Sequence, residues 1–280
     1  MAFFTGLLDD PDMGIDVRQQ SETGLENVAW RDLVALSKKD IVIELTIAMP
    51  WLVAEAFFLF YNLWIPAVFC AFFFFLTGLR QVHGGFHLSL GISKRATDHF
   101  LCLMSILMLG AMHAVKFNHL RHHKYCMGAE DIEAKSAHMS ALGALLFGPV
   151  FPILLHRQAL LKGSPYYRNW ILGELLANII VVALAAFLYL QGVSLLLWHV
   201  VFMTIGQCMT AFFAVWTVHH DCDERLFART QRGWLKNFIS YDMFFHMEHH
   251  LFPKVPQKKL PILAARIDEH APALKAKNVF

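Results

Sequence analysis

The sequence predicts an all-α integral membrane protein: four transmembrane helices in two hairpins, with interfacial helices and a cytosolic cap rich in histidine. Three observations predict it. Four apolar runs are each about long enough to cross a bilayer, at roughly 20 residues. All 24 Lys and Arg lie outside the two short turns that join those runs in pairs. Ten of the 16 His gather in four tight groups next to the runs. Composition agrees, because 56% of the 280 residues are hydrophobic and 16% are charged, against about 25% charged in soluble domains. That balance excludes a disordered chain and a secreted disulfide scaffold. A net charge of +2 offers no nucleic-acid footprint.

The elements follow in order. Residues 1–40 are mixed and polar, lack the basic and apolar regions of a signal peptide, and read as a loose cytosolic leader. The first span is expected over residues 41–61 and the second over 63–79, where the run Phe72-Phe73-Phe74-Phe75 offsets its short length. Asn62 separates them. The third and fourth spans are expected over 171–190 and 193–216, with Gln191-Gly192 between. Four Lys and Arg precede Ile41, ten lie from Arg80 to Arg168, and ten follow Trp216. The excess of positive charge marks that side as cytosolic and puts both termini there. In a bacterium the membrane would be the inner one. The apolar runs 100–115 and 139–155 are too short or too broken, by Gly148-Pro149 and Pro152, to be straight spans. They are expected to lie in or dip into the interface, because one extra crossing would separate His87 from His119. The membrane domain is thus drawn over 41–265, with 266–280 as a cytosolic tail.

The histidines carry the chemistry. The groups are His83-Gly84-Gly85-Phe86-His87, His119-Leu120-Arg121-His122-His123, the pair His219-His220, and His246-Met247-Glu248-His249-His250. On a helix, positions i, i+3 and i+4 share a face, so each H-x-x-H-H can aim three imidazoles at one point. Neutral imidazole ligates iron, zinc, copper and nickel. Eight or nine rings exceed the four ligands of one zinc ion, which implies two metals. The other six histidines (His99, His113, His138, His156, His199 and His270) read as surface residues. Glu130, Asp131, Glu133, Asp221, Asp223, Asp242 and Asp98 are candidates to hold the far nitrogens of ligand rings. Gly84-Gly85 reads as relief of crowding inside the first group. Cys70, Cys102, Cys126, Cys208 and Cys222 form no C-x-x-C pair, which argues against a zinc ribbon or rubredoxin-like centre.

The three histidine boxes, their order and the ending Leu251-Phe252-Pro253-Lys254-Val255-Pro256 resemble the integral-membrane fatty acid desaturase and hydroxylase superfamily. The resemblance implies a cytosolic di-iron centre on a four-helix stem, with O₂ as co-substrate. Its ligands would be His83 and His87, then His119, His122 and His123, then His246, His249 and His250. Family members add one ligand before the third box, supplied here by His219 or His220, with His220 preferred. Trp216 stands where some acyl-CoA desaturases carry Asn. The three residues between His83 and His87 resemble the spacing of acyl-lipid desaturases and alkane-type hydroxylases.

The expected function is an O₂-dependent desaturation of a fatty acyl chain or similar lipid. Hydroxylation or ketolation of an alkane, terpenoid or other hydrophobic metabolite is the alternative. A metal transporter is a rival of another class, but it would place ligands near the bilayer midplane, where the spans offer chiefly Glu44, Glu55 and Glu174. No flavin, nicotinamide or iron–sulfur fingerprint is present. The electrons are therefore expected from a separate ferredoxin- or cytochrome-like protein with its reductase, received by Arg225, Arg229, Arg232, Lys236, Lys254, Lys258 and Lys259.

Overall fold

Ser37 starts the first long helix, its Oγ accepting the Asp40 N–H at 3.2 Å, and α1 runs Lys38–Phe60. The computed structural model describes residues 24–223, 227–274 and 276–280. Residues 61–63 turn the chain, with Asn62 in the left-handed region (φ 57°) that its short polar side chain tolerates. α2 (Trp64–Phe86) packs back along α1. Then come α3 (Lys94–Met108) and α4 (Met112–Tyr125), bent apart by 113°, and α5 (Ala141–Phe147) and α6 (Phe151–Lys162), bent apart by 60°. α7 (Pro165–Leu190) and α8 (Leu195–His219) are joined through Gly192 at φ 85°. α9 (Trp234–Ile239), α10 (His246–Leu251) and α11 (Leu260–His270) build a head, together with β1 (Arg229–Thr230) paired in parallel with β2 (Lys277–Asn278).

Among the described residues four helices, α1, α2, α7 and α8, are long and apolar enough to cross a membrane, the number the sequence predicts. Over its most apolar stretch α2 is 56% buried, against 17% for α1 and α7, so α2 is the central post. It also runs past Leu79 to Phe86 and carries the first histidine group on its last turns. There Arg80 Nη2 donates to Glu44 Oε1 at 2.8 Å, and its Nε donates to the Tyr241 carbonyl at 3.0 Å. The glycines of that group serve packing. A Cβ on Gly85 would meet Leu101 of α3 at 2.9 Å, so the missing side chain lets α3 close on α2 rather than relieving crowded imidazoles.

Neither of the two ambiguous apolar runs forms a straight span; each is a bent pair. A break in a helix frees backbone groups that hydrocarbon cannot satisfy. At the α3–α4 bend, side chains from other helices satisfy them. Leu107 O faces His199 Nε2 at 2.8 Å, Met108 O accepts from Gln207 Nε2 at 2.8 Å, and the Ala111 N–H donates to His156 Nε2 at 3.0 Å. His199 Nδ1 in turn faces Glu55 at 3.0 Å. His113, fully buried, sits between Glu174 (2.6 Å) and Asp98 (3.4 Å), with Trp170 stacked on its ring. The surface assignment of His113, His156 and His199 is therefore corrected: these three are internal polar ties of a folded-back helix pair. His99, His138 and His270 are exposed, as the sequence suggests.

The described part of the leader is not loose. Leu25, Val28 and Leu33 are buried in the core of the head, and Arg266 of α11 clamps Asp32 at 2.7 and 2.8 Å. Residues 1–23 lie outside the described residues. α11 crosses the division drawn at 265, and the tail beyond it is held by Arg229 on Asn278 O (2.8 Å) and Gln231 on Val279 O (2.7 Å).

Candidate metal centre

Four helix ends bring nine imidazoles together. His83 and His87 stand at the C-terminal end of α2, His119, His122 and His123 on α4, His219 on the last turn of α8, and His246, His249 and His250 on α10. They fall into two groups, each with its ring nitrogens within 4.8 Å of one another: His83, His87, His119, His123 and His249; and His122, His219, His246 and His250. In the first, His119 Nε2 lies 3.0 Å from His87 Nε2, and His123 Nε2 lies 3.0 Å from His249 Nε2. In the second, His246 Nε2 lies 2.8 Å from His219 Nε2 and 3.2 Å from His250 Nε2. His123 and His250 stack at 4.2 Å, so the groups are neighbours.

The helical repeat explains the division. Residues four apart differ by roughly 40° around a helix, whereas adjacent ones differ by roughly 100°. His119 and His123 therefore face one group and His122 the other. His246 and His250 face the second and His249 the first. Each H-x-x-H-H box serves two points, not the single point expected from sequence.

His220, the residue preferred from sequence, is not brought to either group. It ends the helix with extended backbone (ψ 143°), its Nδ1–H donates to Trp216 O at 2.8 Å, and its ring stacks on Trp216 at 4.0 Å. His219, one residue earlier, takes the place. It follows a π-helical turn at Ala211–Trp216 that widens α8 just before the site.

Acceptors on the far side fix the rings. His122 Nδ1–H donates to Asp131 at 2.7 Å, His119 Nδ1–H to Glu133 at 2.8 Å, and His219 Nδ1–H to the Phe227 carbonyl at 2.7 Å. Each bond leaves a bare Nε2 lone pair facing the group. Burial would raise the Asp131 carboxyl, but the His122 ring and the Met127 and Ala134 N–H groups outweigh it and hold the group below its usual range. Burial pushes Glu133 up to about 8. Burial and the surrounding imidazoles keep His246, His249 and His250 far below the ordinary imidazole value, so these rings are neutral donors of lone pairs. Burial, with Asp131 adding to it, also raises the Cys126 thiol, which favours a neutral S–H over a thiolate ligand.

Converging neutral nitrogens repel one another unless a cation lies among them, and His83 Nε2 is buried without any hydrogen-bond partner. The residues therefore fit a pair of metal ions, five donors around one and four around the other. Of the other acids named from sequence, Glu130 pairs with Arg121, Asp221 with Arg229, and Asp98 with His113 and Lys116, none of them a member of either group. The sequence reading misses Gln257, which lines the cavity beside His83 while its Nε2 donates to Asp242 O at 2.6 Å. It also misses Glu248, a fully buried residue inside the third box that accepts from Thr230 Oγ1 at 2.7 Å and so ties α10 to β1.

An apolar cavity of about 250 Å³ ends on the site. His83, His119, His219 and His246 close it, and Leu76, Leu79, Phe86, Val115 and Phe213 are among its walls. A second apolar hollow of about 400 Å³ lies in the groove between α2 and α8 and shares Phe72, Leu76, Leu79, Thr210 and Phe213 with the first.

A membrane stem carrying paired polyhistidine groups beside an apolar cavity defines a metal-dependent membrane protein that handles hydrophobic molecules. Residues 46–277 match the fatty acid desaturase family, and the chain belongs to that family. No curated protein sequence matches it significantly. Membership makes it a membrane oxidoreductase of the desaturase and hydroxylase type, with a histidine-box metal site.

Proposed function

We propose that the protein is an O₂-dependent di-iron desaturase that introduces a double bond into a fatty acyl chain or similar lipid. The observation that carries this reading is the apolar cavity that ends on imidazoles of both groups. One iron would be held by His83, His87, His119, His123 and His249, the other by His122, His219, His246 and His250. When bound, the irons supply the activation of O₂ needed to take hydrogen from an unactivated C–H bond. The chain balances as –CH₂–CH₂– + O₂ + 2 e⁻ + 2 H⁺ giving –CH=CH– + 2 H₂O.

The protein's own residues do the rest. Leu76, Leu79, Val115 and Phe213 hold an aliphatic chain by apolar contact and exclude water, while Asp131 and Glu133 keep the ligand rings oriented. The hollow between α2 and α8 gives such a chain a route from the bilayer. Gly206 shapes it, because a Cβ there would lie 2.5 Å from the Phe75 ring. Gly206→Val should push that ring into the groove and shift products toward shorter chains, read from the chain-length distribution of the lipids formed.

The transport reading loses its ligands. Glu44 is engaged by Arg80, Glu55 by His199 and Glu174 by His113. The H-x-x-x-H spacing of His83 and His87 resembles that of acyl-lipid desaturases and of alkane-type hydroxylases alike, so hydroxylation stands as the second reading, in which R–H + O₂ + 2 e⁻ + 2 H⁺ gives R–OH + H₂O. Mass spectrometry of lipids and apolar metabolites from expressing cells separates the two. Loss of two hydrogens supports desaturation; gain of one oxygen rejects it in favour of hydroxylation.

The electrons would come from a separate protein. Of the basic residues named for its docking, Arg229, Arg232 and Lys258 are tied to Asp221, Asp268 and Asp40, and Lys236 to the Phe280 carbonyl. Arg225 lies outside the described residues. Lys254 and Lys259 make no ion pair among the described residues, so charge reversal at these two should slow turnover with the natural donor and spare iron content.

The proposed orientation places both termini and the metal centre in the cytosol. Reporters fused after Arg95, Lys162 and Phe280 should read as cytosolic, and one at Gln191 as external. An external reading at Arg95 or Lys162 would overturn the four-span arrangement.

A further inference from the structure

We infer that α9 lies embedded in the membrane leaflet beneath the head, and that its partner is the phospholipid bilayer itself. The helix turns one apolar face outward: Trp234 is 78% exposed, Phe238 73%, and Leu235 and Ile239 about half. Successive residues are roughly 100° apart, so these four cover one side, and Asn237 on the other side is buried, its Nδ2 donating to Gln231 O at 2.8 Å. Among the described residues nothing covers that face.

The depth of α9 can be read from the stem. Glu44 of α1 and Arg80 of α2 pair at one level, and between them in sequence the only charged residue is Glu55. That level marks where the stem turns from apolar to charged. Tyr241, two residues beyond α9, reaches below it: Trp51 Nε1 donates to the Tyr241 hydroxyl at 3.0 Å, and the Tyr241 ring lies 6.4 Å from that of Phe73. From Arg80 to Phe73, and from Glu44 to Trp51, the helices advance roughly 10 Å. The Tyr241 ring is thus sunk beside the apolar part of the stem while its carbonyl is held by Arg80 at the charged level, a depth that suits an interfacial helix.

The apolar surface is also continuous. Ile239, the last residue of α9, lines the same cavity as Phe72 and Phe213, both of them partly exposed residues of membrane-crossing helices. Ser240, Met243 and Phe244 continue that wall through Tyr241 and Asp242, which both hold left-handed backbone (φ 53° and 65°) and are secured by Arg80 and Gln257. A bilayer-embedded α9 would therefore form the lipid-facing lip of the cavity, so that aliphatic chains enter from the leaflet rather than from water.

The inference rests on the membrane-crossing stem and not on the reaction, and its test needs no turnover. Full-length protein and its Trp234→Phe variant are placed in phosphatidylcholine nanodiscs, and the emission of Trp234 is taken as their difference. Lipid brominated near the headgroup end of its chains should remove roughly half of that emission, more than lipid brominated near the chain ends, with iodide in the water having little effect. Quenching by iodide would overturn the inference and make the face a water-exposed site for a protein partner. Insensitivity to both quenchers would overturn it as well, since the face would then be covered by the chain itself. A nitroxide attached at Phe238 gives an independent reading: greater accessibility to O₂ than to a water-soluble nickel complex is expected, and the reverse rejects the placement.

Discussion

His219→Ala is expected to abolish turnover and to lower bound iron from about two per chain toward one, while His220→Ala leaves both close to wild type. His219 supplies one of only four nitrogens in its group, 2.8 Å from His246 Nε2 and 3.1 Å from His122 Nε2. His220 faces Trp216 instead. Loss of an outer hydrogen-bond partner such as Asp131 should cost roughly 10–100-fold in metal affinity, and loss of a direct nitrogen should cost more. Asp131→Ala therefore marks an intermediate point in the same series. Metal analysis and turnover of the purified variants check all three. If His220→Ala proved as damaging as His219→Ala, the assignment of the second group would be wrong. Equal damage from His99→Ala would undo the separation of boxed from surface histidines.

What the sequence reveals and what it hides differ for physical reasons. The four spans are legible because hydrocarbon demands long charge-free runs, and the boxes are legible because histidine is rare enough for clusters to stand out. The choice between His219 and His220 is not legible from spacing. It depends on where α8 stops, and the π-helical turn at Ala211–Trp216 resets the face presented just before that end. The division of each box between two groups needs the relative placement of α4 and α10, which is a tertiary fact. His113, His156 and His199 look like surface residues in the sequence because a lone histidine in an apolar run carries no sign of its partner. Glu174 lies 61 residues from His113 and Glu55 lies 144 residues from His199. A usable signal was nevertheless present. Three acids and several histidines sit inside otherwise apolar segments, where ionisable groups persist only when paired.

That pairing gives the largest expected effect on stability. Glu174 on α7 accepts the His113 ring Nδ1–H at 2.6 Å and the His113 backbone N–H at 3.1 Å, and both residues are fully buried. The backbone bond matters because His113 stands in the first turn of α4, where no preceding turn supplies a carbonyl. Water cannot replace either acceptor inside the bilayer. Glu174→Leu thus strands two donors at once, along with an imidazole still facing Asp98, and is expected to destabilise the protein by about 3–5 kcal/mol. Glu174→Gln keeps one acceptor oxygen and should cost about 1–3 kcal/mol. Because α4 carries His119, His122 and His123, the Leu variant should also lose bound metal, whereas the Gln variant should keep most of it. Unfolding of the purified variants in detergent, followed together with metal content, measures both quantities. A Leu variant as stable as the native protein would show that the tie between α4 and α7 does not hold the folded-back pair, and that the packing of α4 against α2, α3 and α6 positions the second box.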